Sequence, residues 1–145
     1  MLQKSTIWKT AEMFFLNPTK EHYLKDLSRK IGIAHTSVKK NLSELVKKGL
    51  IKETVEKKGK RKFPIYKANI NIKIFKKCKI IYNINSLIEL NLIDYIEEKL
   101  MPRAIVVFGS YQKGEDTEES DIDIFVECKK EELNLEKFEK KLGRR

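Results

Sequence analysis

The chain has 145 residues, with 31 Lys or Arg against 21 Asp or Glu, for a formal charge of +10. A hydrophobic fraction of 41% supplies enough apolar material for folded cores and excludes wholesale disorder. No apolar run approaches the ~18 residues of a membrane helix, and the opening MLQKSTIWKT lacks the apolar stretch of a signal peptide.

Two cysteines, Cys78 and Cys128, make neither a disulfide framework nor a zinc cluster. The expectation is a cytoplasmic protein with no membrane partner. The charge is unevenly spread: residues 1–70 hold 17 basic and 6 acidic residues, and residues 71–145 hold 14 and 15. A polycationic half beside a near-neutral half points to two modules and a polyanionic partner for the first. Lys alone accounts for 26 residues, so compositional bias is the competing explanation and the arrangement of residues must decide.

Residues 1–70 form the first expected domain. Ile7, Trp8, Ala11, Phe14 and Phe15 recur at helical spacing, and Asn17-Pro18-Thr19 stops that helix. His22-Tyr23 reads as a short strand. Leu24, Leu27 and Ile31 mark a second helix, which Gly32 ends in a left-handed turn. A third helix follows, with His35, Thr36 or Ser37 near its N-cap, Val38, Leu42, Leu45 and Val46 inward, and Gly49 closing it. Leu50–Glu56 reads as a strand, Lys57–Lys62 as a charged turn, and Phe63–Lys67 as the returning strand.

Three helices and a hairpin in this order resemble the winged helix-turn-helix family of DNA-binding modules. That resemblance implies a recognition helix presenting His35, Thr36, Ser37, Lys39, Lys40 and Asn41 to the major groove, with Asn41 suited to an adenine edge. It also implies a wing whose Lys57, Lys58, Lys60, Arg61 and Lys62 lie on phosphates. The bland alternative is a protein-contact module whose lysines only solvate it. His22 and His35 have no Cys or carboxylate partners at ligand spacing, so metal binding there is not expected.

Residues 71–102 are expected to be connecting helices. Ile74, Phe75, Cys78 and Ile81 keep a helical period, with Cys78 a small buried hydrophobe. Asn83–Ser86 breaks the pattern, and Leu87, Ile88, Leu90, Leu92, Ile93, Ile96 and Leu100 form an apolar helix that Pro102 ends. That much apolar surface favours a helix buried between modules or in a homodimer interface.

Residues 103–145 carry the sharpest motif. Ala104–Phe108 is a continuous apolar run, expected as a buried strand, and ends in Gly109-Ser110. A polar loop, Tyr111–Glu119, leads to the strand Ser120–Glu127. Strand alternation places Asp121 and Asp123 on one face and Ile122, Ile124 and Val126 on the other. Adjacent carboxylates repel, so a strand keeps the pair cheaply only if water or a cation screens it. Mg²⁺ prefers such oxygen ligands together with substrate phosphates.

The run VVFGSYQKGEDTEESDIDIFVE resembles the DNA polymerase β-like nucleotidyltransferase superfamily, in particular its minimal prokaryotic and archaeal members. Gly109, Ser110, Gly114, Ser120, Asp121 and Asp123 match the family pattern, and Lys113 stands where many relatives carry a basic loop residue. The resemblance implies nucleotide binding by Gly109, Ser110, Lys113, Gly114 and Ser120, and catalysis through Asp121 and Asp123 holding two Mg²⁺ ions. It implies a nucleoside triphosphate as substrate.

One departure stands out. The family's third carboxylate comes from a later strand, whereas here Leu133, Leu135, Phe138 and Leu142 suggest a helix and Gly143-Arg144-Arg145 follows. Glu127 shares the parity of the Asp pair but lies ~13 Å beyond Asp123, and the chain reads as truncated relative to the family.

The fold class expected from the two resemblances is a two-domain α+β protein. A winged helix-turn-helix precedes a polymerase β-like domain with a mixed sheet and flanking helices. The expected function is transfer of a nucleoside monophosphate to a protein or nucleic-acid acceptor, coupled to DNA binding. The alternative is a DNA-binding regulator or antitoxin-like protein whose second module is catalytically silent.

Overall fold

The computed structural model of the protein describes residues 3–145. Contacts divide the chain into two compact units, up to Phe75 and from Lys76 to Arg145. Among the described residues, no helix is long and apolar enough to cross a membrane.

The first unit begins with α1 (Thr6–Leu16), whose first turn is capped by Ser5: its hydroxyl accepts the Trp8 N–H at 3.3 Å. Pro18 follows, where its missing N–H and fixed φ forbid continuation. His22 then makes a two-way backbone bridge with Tyr66, both bonds 2.9 Å. Helix α2 (Leu24–Ile31) ends at Gly32, whose φ of 72° allows the Gly32 and Ile33 N–H groups to cap Ser28. Helix α3 spans His35–Lys47.

Phe14, Leu27, Val38 and Leu42 are fully buried at the centre of these helices; each contributes about 1.5–3 kcal/mol of burial. Strands β1 (Ile51–Lys58) and β2 (Arg61–Ala68) pair antiparallel from Ile51↔Ala68 to Lys58↔Arg61. The charged stretch Lys57–Lys62 is therefore mostly strand. Only Gly59-Lys60 turns, with Gly59 at φ 62°, because a two-residue hairpin turn matches strand twist when a glycine supplies the positive φ.

Helix α4 (Lys73–Glu89) runs unbroken through Asn83–Ser86, contrary to the expected interruption there. Asn83 is fully buried, and its Nδ2 donates to groups remote in sequence, so the polar residues Asn83, Asn85 and Ser86 did not end the helix. The break falls at Leu90-Asn91, with Asn91 at φ 56° opening α5 (Leu92–Leu100). Exposure of Ile74, Ile81 and Ile88 shows that the apolar residues of α4 are not all on one buried face. Cys78 is half-buried, and burial pushes its thiol pKa up.

The second core gathers Leu87, Leu92, Ile96, Tyr111 and Phe138, with Ile105, Val107, Ile122, Ile124 and Val126 packed against it. Residues 71–102 thus contribute core side chains to this unit. Strands β3 (Ala104–Phe108) and β4 (Asp123–Glu127) pair antiparallel, from Ala104↔Glu127 to Phe108↔Asp123. Two expectations are corrected here. The described sheet is a two-stranded antiparallel pair and not a mixed sheet, and β3 is buried on one face only, Val106 and Phe108 being about half exposed at 47% and 49%. Between the strands lies the short α6 (Gly109–Lys113), and α7 (Glu136–Leu142) closes over the core through Phe138.

Candidate functional site

The site is built where β3 hands over to α6. Gly109 has φ 71°, and a Cβ there would collide with the Asp123 carboxylate. That carboxylate lies across the Gly109 backbone because Phe108 and Asp123 are register partners. A side chain at position 109 would both strain the turn and displace the acid. Gly114, φ 66°, ends α6 in the left-handed region against the Lys76 carbonyl, its position also closed by Ile80 Cγ1 at 3.1 Å from a Cβ. Close approach thus bears on both glycines, with backbone as the obstacle at Gly114 and the Asp123 side chain at Gly109.

Asp123 opens β4 and Asp121 precedes it by two residues, just outside the strand. The strand is shorter than the sequence implied, since the chain from Thr117 to Ser120 is a turn: the Ser120 hydroxyl accepts the Thr117 N–H at 2.9 Å, and the Ser120 N–H returns to the Thr117 carbonyl at 3.1 Å. Ser120 organises the loop through that bond. Both aspartates are exposed while Ile122, Ile124 and Val126 are turned toward the core, so the expected division of faces holds. Ser110 is half-buried, its carbonyl accepting the Glu115 N–H at 3.0 Å, and Lys113 is exposed at the end of α6. Asp121 and Ser120 line an open cleft of about 480 Å³ together with Glu118, Glu119, Glu139, Arg144 and Arg145.

The donor set fits a divalent cation in part. Two exposed carboxylates on one side of a strand start suit a hard, oxygen-seeking ion that completes its shell with water and phosphate. Among the described residues no group of three or more His, Cys, Asp or Glu is placed to hold a metal. Glu127, at the far end of β4, lies opposite Ala104 and does not join the pair.

Behind the loop lies a cluster that sequence patterning did not reveal. Asp116, 2% exposed, accepts from Asn83 Nδ2 at 2.7 Å, pairs with Lys79 Nζ at 3.2 Å, and pairs with Arg144. Asn83 Nδ2 also donates to the Tyr111 carbonyl at 2.8 Å, and the Tyr111 hydroxyl returns to the Asn83 carbonyl at 3.1 Å. Burial holds Lys79 below the usual lysine range, opposed by the attraction of Asp116, and burial raises the Tyr111 hydroxyl strongly. These partners are 28 to 37 residues apart in sequence, and no local pattern announces such a pairing.

In the first unit, His35, Thr36, Lys39 and Lys40 are exposed on the N-terminal half of α3, and Ser37 is half-buried. The N-cap is Ala34, without a side-chain bond, so His35, Thr36 and Ser37 are the first helical residues. Asn41 is turned inward: it is 8% exposed and its Nδ2 donates to the Thr10 hydroxyl at 3.1 Å. The expectation that Asn41 reads a base edge is overturned, because its amide is spent tying α3 to α1. Lys57, Lys60, Arg61 and Lys62 are exposed on the hairpin. Lys58 is exposed as well, bound to Glu56 at 3.2 Å and lying over the Tyr23 ring at 5.3 Å. Lys57 faces Lys62 and Lys58 faces Arg61 across the strands, two like-charge pairs that oppose pairing.

Comparison with known proteins bears on the second unit. Residues 90–145, from just before α5 to the end of the chain, match the family described as "Polymerase beta, Nucleotidyltransferase". A Methanocaldococcus jannaschii protein named "Putative protein adenylyltransferase" is 56% identical over 32 residues, 22% of this chain and 32% of that protein. The chain therefore spans about a third of the length of the curated relative it matches. Among solved structures, a "Possible transcriptional regulator" from Methanosarcina mazei Go1 aligns over 67% of this chain and 79% of that one, with 16% identity and a TM-score of 0.46. The region around Gly109, Asp121 and Asp123 lies within the segment that is similar to the polymerase β-type nucleotidyltransferases.

Proposed function

We propose that the second unit is a metal-dependent nucleotidyltransferase module that transfers a nucleoside monophosphate from a triphosphate, and that the first unit is a winged helix that directs it to nucleic acid. The observation that carries the first statement is the seating of the Asp123 carboxylate across the Gly109 backbone, inside the segment that matches the family. Asp121 and Asp123 would hold Mg²⁺, which supplies charge neutralisation on the phosphates and lowers the pKa of an attacking hydroxyl. The protein's own part is positional. Gly109 admits phosphate oxygens close to the backbone, Ser110 and Lys113 offer a hydroxyl and a point charge beside it, and the exposed Arg145 adds a cation to the lining of the cleft at Asp121. Orientation and electrostatic stabilisation are what phosphoryl-type transfers chiefly require. The name of the similar archaeal protein supports adenylyl transfer to a protein acceptor.

A second reading is favoured by one observation: no third carboxylate joins the pair among the described residues. In that reading the second unit binds nucleotide without turnover, and the chain is a nucleic-acid-binding regulator. Calorimetric titration of Mg-ATP and Mg-GTP into the wild type and the Asp121→Asn/Asp123→Asn variant decides the site. The expected outcome is Mg²⁺-dependent binding that the double variant loses; equal affinity in both would remove the metal assignment. Transfer of a labelled α-phosphate to protein then separates an enzyme from a sensor.

A further inference from the structure

We infer that Asp116 is a positioning residue for the aspartate pair, and that Asn83, Lys79 and Arg144 act through it; this rests on the reading of Asp121 and Asp123 as the metal-binding pair. The loop from Gly114 to Ser120 has no sheet or long helix of its own, yet it must present Asp121 at a fixed place. Its constraints come from α4 and from Arg144 beyond α7. The Asn83 amide holds both the Tyr111 carbonyl at the last turn of α6 and the Asp116 carboxylate, at 2.8 and 2.7 Å. Lys79 and Arg144 bring two cations to that same buried carboxylate. Gly114 is pressed against the Lys76 carbonyl, and Lys76 Nζ reaches Glu115 at 2.6 Å.

From Asp116 the chain enters the Thr117–Ser120 turn directly, and Asp121 follows. Only the four residues of that turn thus separate a carboxylate anchored in the core from one exposed at the cleft, and the turn is closed by its own hydrogen bonds. A buried charge pair is costly to assemble and holds one geometry when every partner is present. An apolar residue at position 116 would leave the buried Lys79 and Arg144 without their counter-charge. The choice of a carboxylate here fixes the loop's direction, which packing does not.

The test uses the full chain and Mn²⁺ as the probe, with two independent readouts. Metal affinity is measured by titration of the Mn²⁺ paramagnetic signal, and loop order by hydrogen exchange of the amides at 117–123. Exchange in α5 and β3 and the unfolding temperature serve as controls. Asn83→Ala, which leaves the ion pairs in place, and Asp116→Asn are the primary variants. Lys79→Met/Asp116→Asn removes opposite charges together and supplies a folded protein should the single Asp116 variant unfold. The expected result is about a 10-fold loss of Mn²⁺ affinity, the scale of losing an outer support of a metal ligand. Exchange at 117–123 should quicken while the controls hold.

Unchanged affinity and unchanged loop exchange in a folded variant would overturn the inference and leave the cluster as a core support only. If the wild type binds no Mn²⁺, the metal reading of the aspartates fails, and loop exchange alone still decides whether Asp116 orders the segment. Loss of protection in α5 and β3 in every variant would also overturn it, since the cluster would then hold up the unit as a whole.

Discussion

At the scale of single residues, the glycines separate backbone need from site need. Gly109 and Gly32 have nearly the same backbone, φ 71° and 72°, but a Cβ at Gly32 meets nothing within 4 Å while one at Gly109 strikes Asp123. Alanine at either position carries the cost of a positive φ, about 1 kcal/mol. The obstacle at Gly109 is the end of a side chain, which can swing aside. Gly109→Ala and Gly32→Ala are therefore expected to lower stability by similar amounts, whereas only Gly109→Ala loses Mg-nucleotide affinity, by about 10-fold or more. Denaturant unfolding beside calorimetry checks the split, and a large stability gap between the two would show that Asp123 cannot move. The strand pairing that brings Asp123 against Gly109 was legible in the apolar run 104–108 and the alternation at 121–126, whereas the roles of Gly109, Asp121 and Asp123 were implied by the family resemblance. Asn41 was misread because spacing on a helix does not say which polar residue finds a buried partner: Thr10, 31 positions earlier, decides it.

At the scale of elements, helical periodicity with a proline stop and two glycine stops located α1, α2 and α3, and an apolar run at 104–108 with alternation at 121–126 located β3 and β4. What stayed hidden were ends and interruptions set by distant contacts. Helix α4 passes through Asn83, whose Nδ2 finds Asp116 and Tyr111 in another part of the chain. The β1–β2 hairpin lies where it was expected, but its turn was drawn too wide. The true strands carry Lys57 and Lys58 opposite Lys62 and Arg61, an arrangement that local reading disfavours, since each like-charge pair costs a few tenths of a kcal/mol or more. A polyanion laid along the hairpin removes that cost. Replacing Lys60, Arg61 and Lys62 with Ala is expected to weaken binding to duplex DNA nearly equally across sequences and to reduce the log–log salt slope by up to ~3 units. Fluorescence anisotropy at a series of salt concentrations measures it, and an unaltered slope would show that the wing does not touch phosphates.

At the scale of the whole chain, charge is the most unequal property. Residues 1–70 hold 17 basic and 6 acidic residues, against 14 and 15 in the remainder. The first unit contains exposed or half-exposed ion pairs, Lys4–Glu12, Arg29–Asp26, Lys48–Glu44, Lys58–Glu56 and Lys67–Glu21. Salt weakens those pairs, but exposed pairs contribute little to begin with. It also screens the repulsion among the excess cations, eleven over residues 1–70 alone, which reaches further. The Debye length falls from about 30 Å at 0.01 M to about 8 Å at 0.15 M, so long-range repulsion is relieved more than short contacts are lost. Repulsion should therefore win in the first unit and nearly cancel in the second. Between those two salt concentrations, amide protection in α1 and α3 is expected to rise by about 1 kcal/mol, roughly the relief of a few like-charge pairs, while α5 and β3 change little. Hydrogen exchange resolved by element reads both at once. Equal protection gains in the two units would show that the salt acts through hydration or ion binding common to the chain, and that the lysine excess carries no repulsive strain for a polyanion to relieve.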